Sequence, residues 1–272
     1  MKPSAYRYAR PSSVAEAVRL LADSDGGGKV MAGGQSLGPM LNLRLAQPEL
    51  VVDITGIGEL ASVREDKDGI VYGACVTHAA VEDNRVPDAA NGFLARVAAG
   101  IAYRAVRNRG TMGGSLAHAD PSADWMTTLT AVDAEMLIAG ATGERRVALA
   151  EFMTAPFSVA LDEAEFIVGI RIRRHSPAAR FGYFKFCRKR GEFAEAMAAI
   201  VVDPAAGVSR AVIGATDSRP IVLPDISAYL PLSPERLDAA KAMVEGLGIA
   251  GEPIKDAMHA NAFARALQQV KP

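Results

Sequence analysis

The stretch Arg107-Asn108-Arg109-Gly110-Thr111-Met112-Gly113-Gly114-Ser115-Leu116-Ala117-His118-Ala119-Asp120-Pro121-Ser122-Ala123-Asp124 decides how the rest of the chain is read. It begins basic, passes through glycines and small hydroxyl residues, and ends in two carboxylates four residues apart. Glycines permit positive φ and close approach to a backbone. Successive free N–H groups in such a loop form a concavity for anions, and carboxylates accept from hydroxyl or ring N–H groups. One loop therefore offers contacts to phosphate and to sugar or base, as a nucleotide cofactor requires. The same residues also suit a tight Gly-Gly turn ahead of a helix, so the choice rests on the rest of the chain.

A second junction of this kind lies upstream. Lys29 to Ala32 reads as a short apolar strand running into Gly33-Gly34-Gln35-Ser36-Leu37-Gly38-Pro39. Pro39 and Asn42 suit a helix or turn start, while the alternation of Leu41, Leu43 and Leu45 with polar residues also permits an extended segment. Two glycine junctions suit a ligand with two phosphates held from both sides by backbone donors, each charge-assisted bond contributing roughly 1.5–3 kcal/mol. Neither loop carries the lysine of a P-loop, and no G-x-S-x-G elbow occurs. Gly56-Ile57-Gly58-Glu59-Leu60-Ala61 matches G-x-G-x-x-A after the strand Leu50 to Ile54. Only about two turns of chain follow it, too few for the crossover helix of a dinucleotide-binding βαβ unit, so it reads as a loop.

The totals argue against a nucleic-acid binder. The chain has 272 residues and a formal net charge of −1, which allows about two domains and lacks the basic surplus of nucleic-acid binders. The short basic runs, Arg171 to Arg174 and Lys185 to Arg190, read as solvated strand edges. Two cysteines, Cys75 and Cys187, are too few for a disulfide framework or for a four-thiolate iron–sulfur cluster. No closely spaced His/Cys set points to a metal. The N-terminus lacks the apolar core of a secretory signal, and no apolar run approaches a membrane span. A cytoplasmic protein is expected.

Taken in order, Ser13 to Glu16 forms a capping box ahead of a helix with Val14, Ala17, Val18 and Leu21 on one face. Strand Ile70 to Ala74, a helix from Thr77 to about Asp83, and an Ala-rich helix over Pro87 to Gly100 are expected. A short buried helix covers Asp124 to Thr130, with Trp125, Met126 and Leu129 on its core face. Ala134 to Ala139 and Arg145 to Leu149 pair around Gly140-Ala141-Thr142-Gly143. Glu165 to Arg173 is a strand with Phe166, Val168, Ile170 and Ile172 on one face. His175-Ser176-Pro177-Ala178 breaks the pattern. Beyond it come three meandering strands (Arg180 to Arg188, Ala196 to Asp203, Val208 to Ala215). Two helices follow, from Pro234 to Leu247 after a Ser233 cap and from about Ile254 to Gln269. Strands followed by helices give an α+β lobe.

With these motifs in place, Ala32-Gly33-Gly34-Gln35-Ser36-Leu37, Asn42-Leu43-Arg44-Leu45, Thr111-Met112-Gly113-Gly114-Ser115 and Asp120-Pro121 resemble the FAD-binding medium subunits of molybdenum hydroxylases. Those of carbon monoxide dehydrogenase and the flavin domain of xanthine dehydrogenase are examples. The resemblance covers nearly the whole chain. It implies an α+β fold: a two-part FAD-binding domain of the PCMH or vanillyl-alcohol-oxidase type over 1–176, divided near residue 57, then a small α+β lobe over 177–272. It implies non-covalent FAD. Carried over residue by residue, Ala32, Gly33, Gly34, Gln35, Ser36 and Leu37 bind the pyrophosphate, with Thr111, Gly113, Gly114 and Ser115 opposite. His118, Asp120 and Asp124 lie along the ribityl and adenosine side. Ala102 also belongs to the cofactor set, and Lys185, in Phe184-Lys185-Phe186, matches a lysine near the flavin. Gly191-Glu192-Phe193-Ala194 matches a segment that is Gly-Asp-Tyr-Ala in the carbon monoxide enzyme, whose tyrosine approaches the flavin ring. Phe193 keeps the aromatic face and lacks the hydroxyl.

The resemblance further implies a complex. The molybdenum cofactor sits on a large subunit and 2Fe–2S clusters on a small one, in a dimer of heterotrimers, and this chain passes electrons from cluster to external acceptor through FAD. No catalytic acid or base is expected on it. The alternative is a self-contained flavin oxidase acting on a small molecule, which needs a larger cap than the residues after Ser176 provide.

Overall fold

A computed structural model describes residues 2–271. The chain opens with β1 (Arg7–Ala9), α1 (Val14–Ala22), β2 (Gly28–Met31), α2 (Leu37–Asn42) and β3 (Leu50–Asp53). The strands form a parallel sheet in the order β1-β3-β2. Ser13 caps α1 by accepting from Glu16 N–H, but Glu16 returns its carboxylate to Ser12 rather than to the cap. The Leu41–Leu45 segment is not extended: α2 ends at Asn42, Arg44 turns at φ 59°, and Leu43 and Leu45 are exposed. The G-x-G-x-x-A stretch folds as two 3-10 turns, Ile54–Gly56 and Gly58–Ala61, with no crossover helix.

The middle of the chain supplies β4 (Val63–Glu65), β5 (Gly69–Gly73), α3 (His78–Glu82), α4 (Phe93–Ala98), α5 (Arg104–Arg107), α6 (Met112–His118) and α7 (Asp124–Ala131). It continues with β6 (Glu135–Gly140), β7 (Gly143–Ala148), α8 (Leu149–Phe152), β8 (Met153–Ala155), β9 (Ser158–Val159) and β10 (Phe166–Arg173). Five strands make an antiparallel sheet in the order β4-β5-β10-β6-β7. The helix expected over Pro87 to Gly100 is only α4, because Asn91 and Gly92 both adopt positive φ and break it.

Two further expectations are corrected in β10. Its pairing with β6 shifts between Ile167 and Gly169. This bulge exchanges the faces of the strand, so Phe166 and Val168 join the core around α1 while Ile170 and Ile172 join the core around α7. The strand is also central, not an edge. Arg171 is buried and ion-paired to Asp66 (2.9 Å), Asp68 (2.8 Å) and Glu135 (3.2 Å).

The C-terminal part holds β11 (Arg180–Phe186), β12 (Ala196–Asp203), β13 (Val208–Gly214), β14 (Ile221–Leu223), α9 (Pro234–Glu245) and α10 (Pro253–Leu267). Its antiparallel sheet, β11-β12-β13-β14, has one strand more than expected. Every residue of β12 is buried. Ala199 and Val201 face the core around α7, while Ala198, Ile200 and Val202 face α9 and α10, as the two-residue period of a strand requires. A Cβ on Gly182 would lie 2.0 Å from Ala266 O, and one on Gly214 would lie 1.7 Å from Thr127 Oγ1. Both glycines let this sheet meet its helical neighbours closely. The fold is thus α+β, and among the described residues no helix is long and apolar enough to cross a membrane.

Candidate cofactor site

The two glycine junctions, 76 residues apart between Gly33 and Arg109, touch in space. A Cβ on Gly33 would stand 1.9 Å from Arg109 O, so only glycine fits. Arg109 Nε donates to Gly33 O at 3.4 Å. A Cβ placed on Gly114 would lie 3.8 Å from that of Ala32. The two loops are therefore opposite walls of one crevice.

Their chemistry differs. Gly34 has φ 69°, and among the described residues the N–H groups of Gly33, Gly34, Gln35, Ser36 and Leu37 meet no protein acceptor. Five successive open donors of this kind form the anion-binding concavity expected of the loop. The downstream loop is closed instead. Met112 N–H donates to Val76 O (3.0 Å), Gly113 N–H to Ala74 O (3.1 Å) and Ser115 N–H to Thr111 O (3.0 Å). Gly114 N–H donates to the Thr111 hydroxyl at 3.0 Å, which caps α6. The expectation of free backbone donors from both sides is corrected here: Gly113 and Gly114 serve close approach. A Cβ on Gly113 would lie 2.6 Å from that of Ala74. What this wall offers a ligand is the Ser115 hydroxyl and a surface without bulk at Gly114, while the buried Thr111 hydroxyl caps the helix.

Asp124, the first residue of α7, is buried. Its Oδ1 accepts from Lys185 Nζ at 2.8 Å and from the Tyr183 hydroxyl at 2.5 Å. Burial and the neighbouring carboxylate push the Tyr183 phenol well above its ordinary range, so it stays a neutral donor. Lys185 Nζ also donates to Gly100 O (3.1 Å) and Glu192 O (3.3 Å), which occupies all three of its protons. Lys185 thereby ties the Gly191–Phe193 turn to the segment before α5. Gly191 has φ 90°, and a Cβ there would lie 2.5 Å from Ala102 O. Ala102 itself has φ 43° and is held by Arg107, which donates to Ile101 O (2.8 Å) and Ala102 O (2.9 Å) while pairing with Glu82. Phe193 is 62% exposed, so its ring packs in no core.

The structure thus gathers the predicted residues into two groups. Ala32 to Leu37 lies beside the Thr111–Ser115 turn, with Gly114 nearest Ala32 and Gly113 turned inward onto Ala74; Ala102, Asp124, Lys185 and Phe193 belong to a second group, linked through Lys185 and the Gly191–Phe193 turn. His118 closes α6 against Phe157, and Asp120 Oδ1 accepts from Ser122 N–H at 2.9 Å. Tyr183, Arg107 and Phe157 were not anticipated. Tyr183 had a legible signal, since it lies two residues from Lys185 and so shares its strand face. Among the described residues no set of His, Cys, Asp and Glu side chains could hold a metal ion.

Residues 4–174 match the sequence family described as FAD binding domain in molybdopterin dehydrogenase. The chain belongs to this family. It is similar to the 6-hydroxypseudooxynicotine dehydrogenase complex subunit alpha of Paenarthrobacter nicotinovorans, 37% identical over 74% of this chain and 68% of the relative. It is also similar to the nicotine 6-hydroxylase medium subunit of that organism, at 35% identity over 88% and 86% of the two chains. Among solved structures, carbon monoxide dehydrogenase from Hydrogenophaga pseudoflava superposes with a TM-score of 0.91 at 32% identity, covering 99% of this chain and 98% of that one. The relatives are oxidoreductase subunits, and FAD is the cofactor of the family. The crevice fits FAD on its own evidence: an open row of donors faces a wall cleared by glycine.

Proposed function

We propose that this chain is the FAD-carrying electron-transfer subunit of a molybdenum hydroxylase complex. The observation that carries this is the row of open N–H groups from Gly33 to Leu37 facing the glycine-cleared start of α6. Bound FAD supplies a store for two electrons, filled from the 2Fe–2S clusters of a small partner subunit and emptied into an external acceptor. Ala32 to Leu37 hold the pyrophosphate through backbone donors. Thr111, Gly113, Gly114 and Ser115 bound it from the other side, with the Ser115 hydroxyl rather than backbone N–H groups as the donor. His118, Asp120 and Asp124 line the ribityl and adenosine side. Ala102, Lys185 and Phe193 belong to the ring side, where the role of Lys185 is to hold the Gly191–Phe193 turn in place. No residue is assigned as a general acid or base.

The molybdenum cofactor belongs on a large partner subunit, in a dimer of heterotrimers. The relatives named as medium chains and medium subunits support such partners. Divisions near residues 57 and 176 are proposed as domain limits, supported by the three larger sheets, which do not share strands.

The purified chain should be yellow, with a flavin spectrum, and acid or heat should release FAD rather than FMN or a flavin-labelled peptide. It should not hydroxylate substrate without partners. A colourless chain that takes up no FAD, or hydroxylation by the chain alone, would overturn the proposal.

A further inference from the structure

The tip of the β8–β9 hairpin presents Phe157 in a manner that packing does not explain. The residue adopts φ 59°, a left-handed conformation that disfavours a side chain. The residue is 60% exposed, so no compensating burial offsets the strain. Glycine or asparagine would make the same turn more readily. The position is nevertheless fixed: Phe157 N–H donates to Ala119 O at 2.8 Å, and its ring lies 5.3 Å from that of His118, tilted by 56°. His118 follows Gly114 by four residues on α6, so the two share one helix face. Gly114 forms the wall opposite Ala32, and His118 lies about 6 Å further along the helix axis. An exposed, anchored aromatic pair therefore sits one helical turn from the donor crevice. Strained residues of this kind persist at ligand clamps.

We propose that Phe157 and His118 form a stacking platform for a planar ring of the bound dinucleotide. This rests on the FAD reading given above. Because His118 lies on the ribityl and adenosine side in that reading, the ring is the adenine.

The test uses the full-length chain stripped of flavin and titrated with FAD, FMN and ADP, in wild-type, F157A, F157W and F157G forms. F157A should weaken FAD about tenfold, from the typical strength of an aromatic stack, and F157W should retain it. F157G should weaken FAD equally while melting at or above the wild-type temperature, because glycine accepts φ 59°. The loss should be shared with ADP and spared with FMN; a loss shared with FMN and spared with ADP would overturn the assignment to adenine. If F157A and F157G bind all three ligands as wild type does, the platform is wrong. If the wild-type chain takes up no FAD, the cofactor reading itself fails and the platform falls with it.

Discussion

Lys185 Nζ lies 2.8 Å from Asp124 Oδ1, and both side chains are at least nine-tenths buried. The pair joins β11 of the C-terminal sheet to the first turn of α7, and Tyr183 adds a third member on the same oxygen. Removing one partner from a buried ion pair leaves an uncompensated charge, which typically costs about 3–5 kcal/mol. Lys185→Met should therefore lower unfolding free energy by that order in a denaturant titration. Lys185→Met combined with Asp124→Leu should recover much of the loss, since well-packed apolar replacements of buried pairs are often near neutral. A single variant that lost less than about 1 kcal/mol would contradict the geometry.

The crevice depends on glycine at positions that differ sharply. Gly33→Ala forces a Cβ to 1.9 Å from a carbonyl oxygen of Arg109, where neither backbone can yield cheaply. It should abolish FAD retention while far-ultraviolet circular dichroism stays near wild type. Gly114→Val, whose Cβ meets the Thr111 hydroxyl at 2.8 Å, should do the same. Gly38→Ala is the control. Nothing lies within 4 Å of a Cβ there, and the residue is inside α2, so flavin content should persist and stability should rise by about 0.5–1 kcal/mol.

Ala102 carries a strain that a smaller residue would relieve. At φ 43° an L-residue is disfavoured by about 1–2 kcal/mol relative to glycine, against which glycine's added unfolded-state freedom subtracts up to 1 kcal/mol. Ala102→Gly should raise the melting temperature slightly. Arg107→Lys should lower it, because one ammonium cannot hold the Glu82 carboxylate bidentately and also donate to Ile101 O and Ala102 O. The opposite order of melting temperatures would refute this account of the loop.

His78 makes stability depend on pH in a defined direction. Burial, reinforced by the Arg107 charge, pushes its imidazole down to about 4, and its Nδ1 accepts from Trp125 Nε1 at 3.0 Å. The unfolded imidazole binds its proton near 6.5, so between about pH 6.5 and 4 the unfolded state binds more protons. The stabilisation is complete above that window and is lost as pH falls through it, by about 2 kcal/mol at pH 5. His78→Gln should flatten the profile between pH 7.5 and 5. Some slope should remain, because burial depresses His175 and His259 in the same sense. An unchanged profile would remove His78 as its source.

Much of this was legible in residues. The capping chemistry of Ser13 and Ser233, the two glycine junctions and the α+β order of elements are local signals, and local chemistry decides them. What escaped reading was non-local. The closing of the Thr111–Ser115 donors depends on Ala74 and Val76, which no spacing relates to that loop. The face exchange in β10 depends on a bulge against β6, and a strict two-residue alternation cannot encode it. Arg171 looked like surface because its run is basic; its three acidic partners come from β6 and from the turn before β5. An aromatic in a loop, such as Phe157, carries no pattern until its φ is known.

The two-sided burial of β12 has a consequence for how the molecule comes apart. Ala199 and Val201 are roofed by one region of sequence and Ala198 and Ile200 by another, so neither region keeps its interior when the other melts. A fragment ending at residue 174 would bare the α7 surface, and the remainder would bare the matching sheet face. Such fragments would cling to each other or to themselves rather than remain dispersed. Heat should accordingly undo the protein in one transition, although the sequence reads as modular.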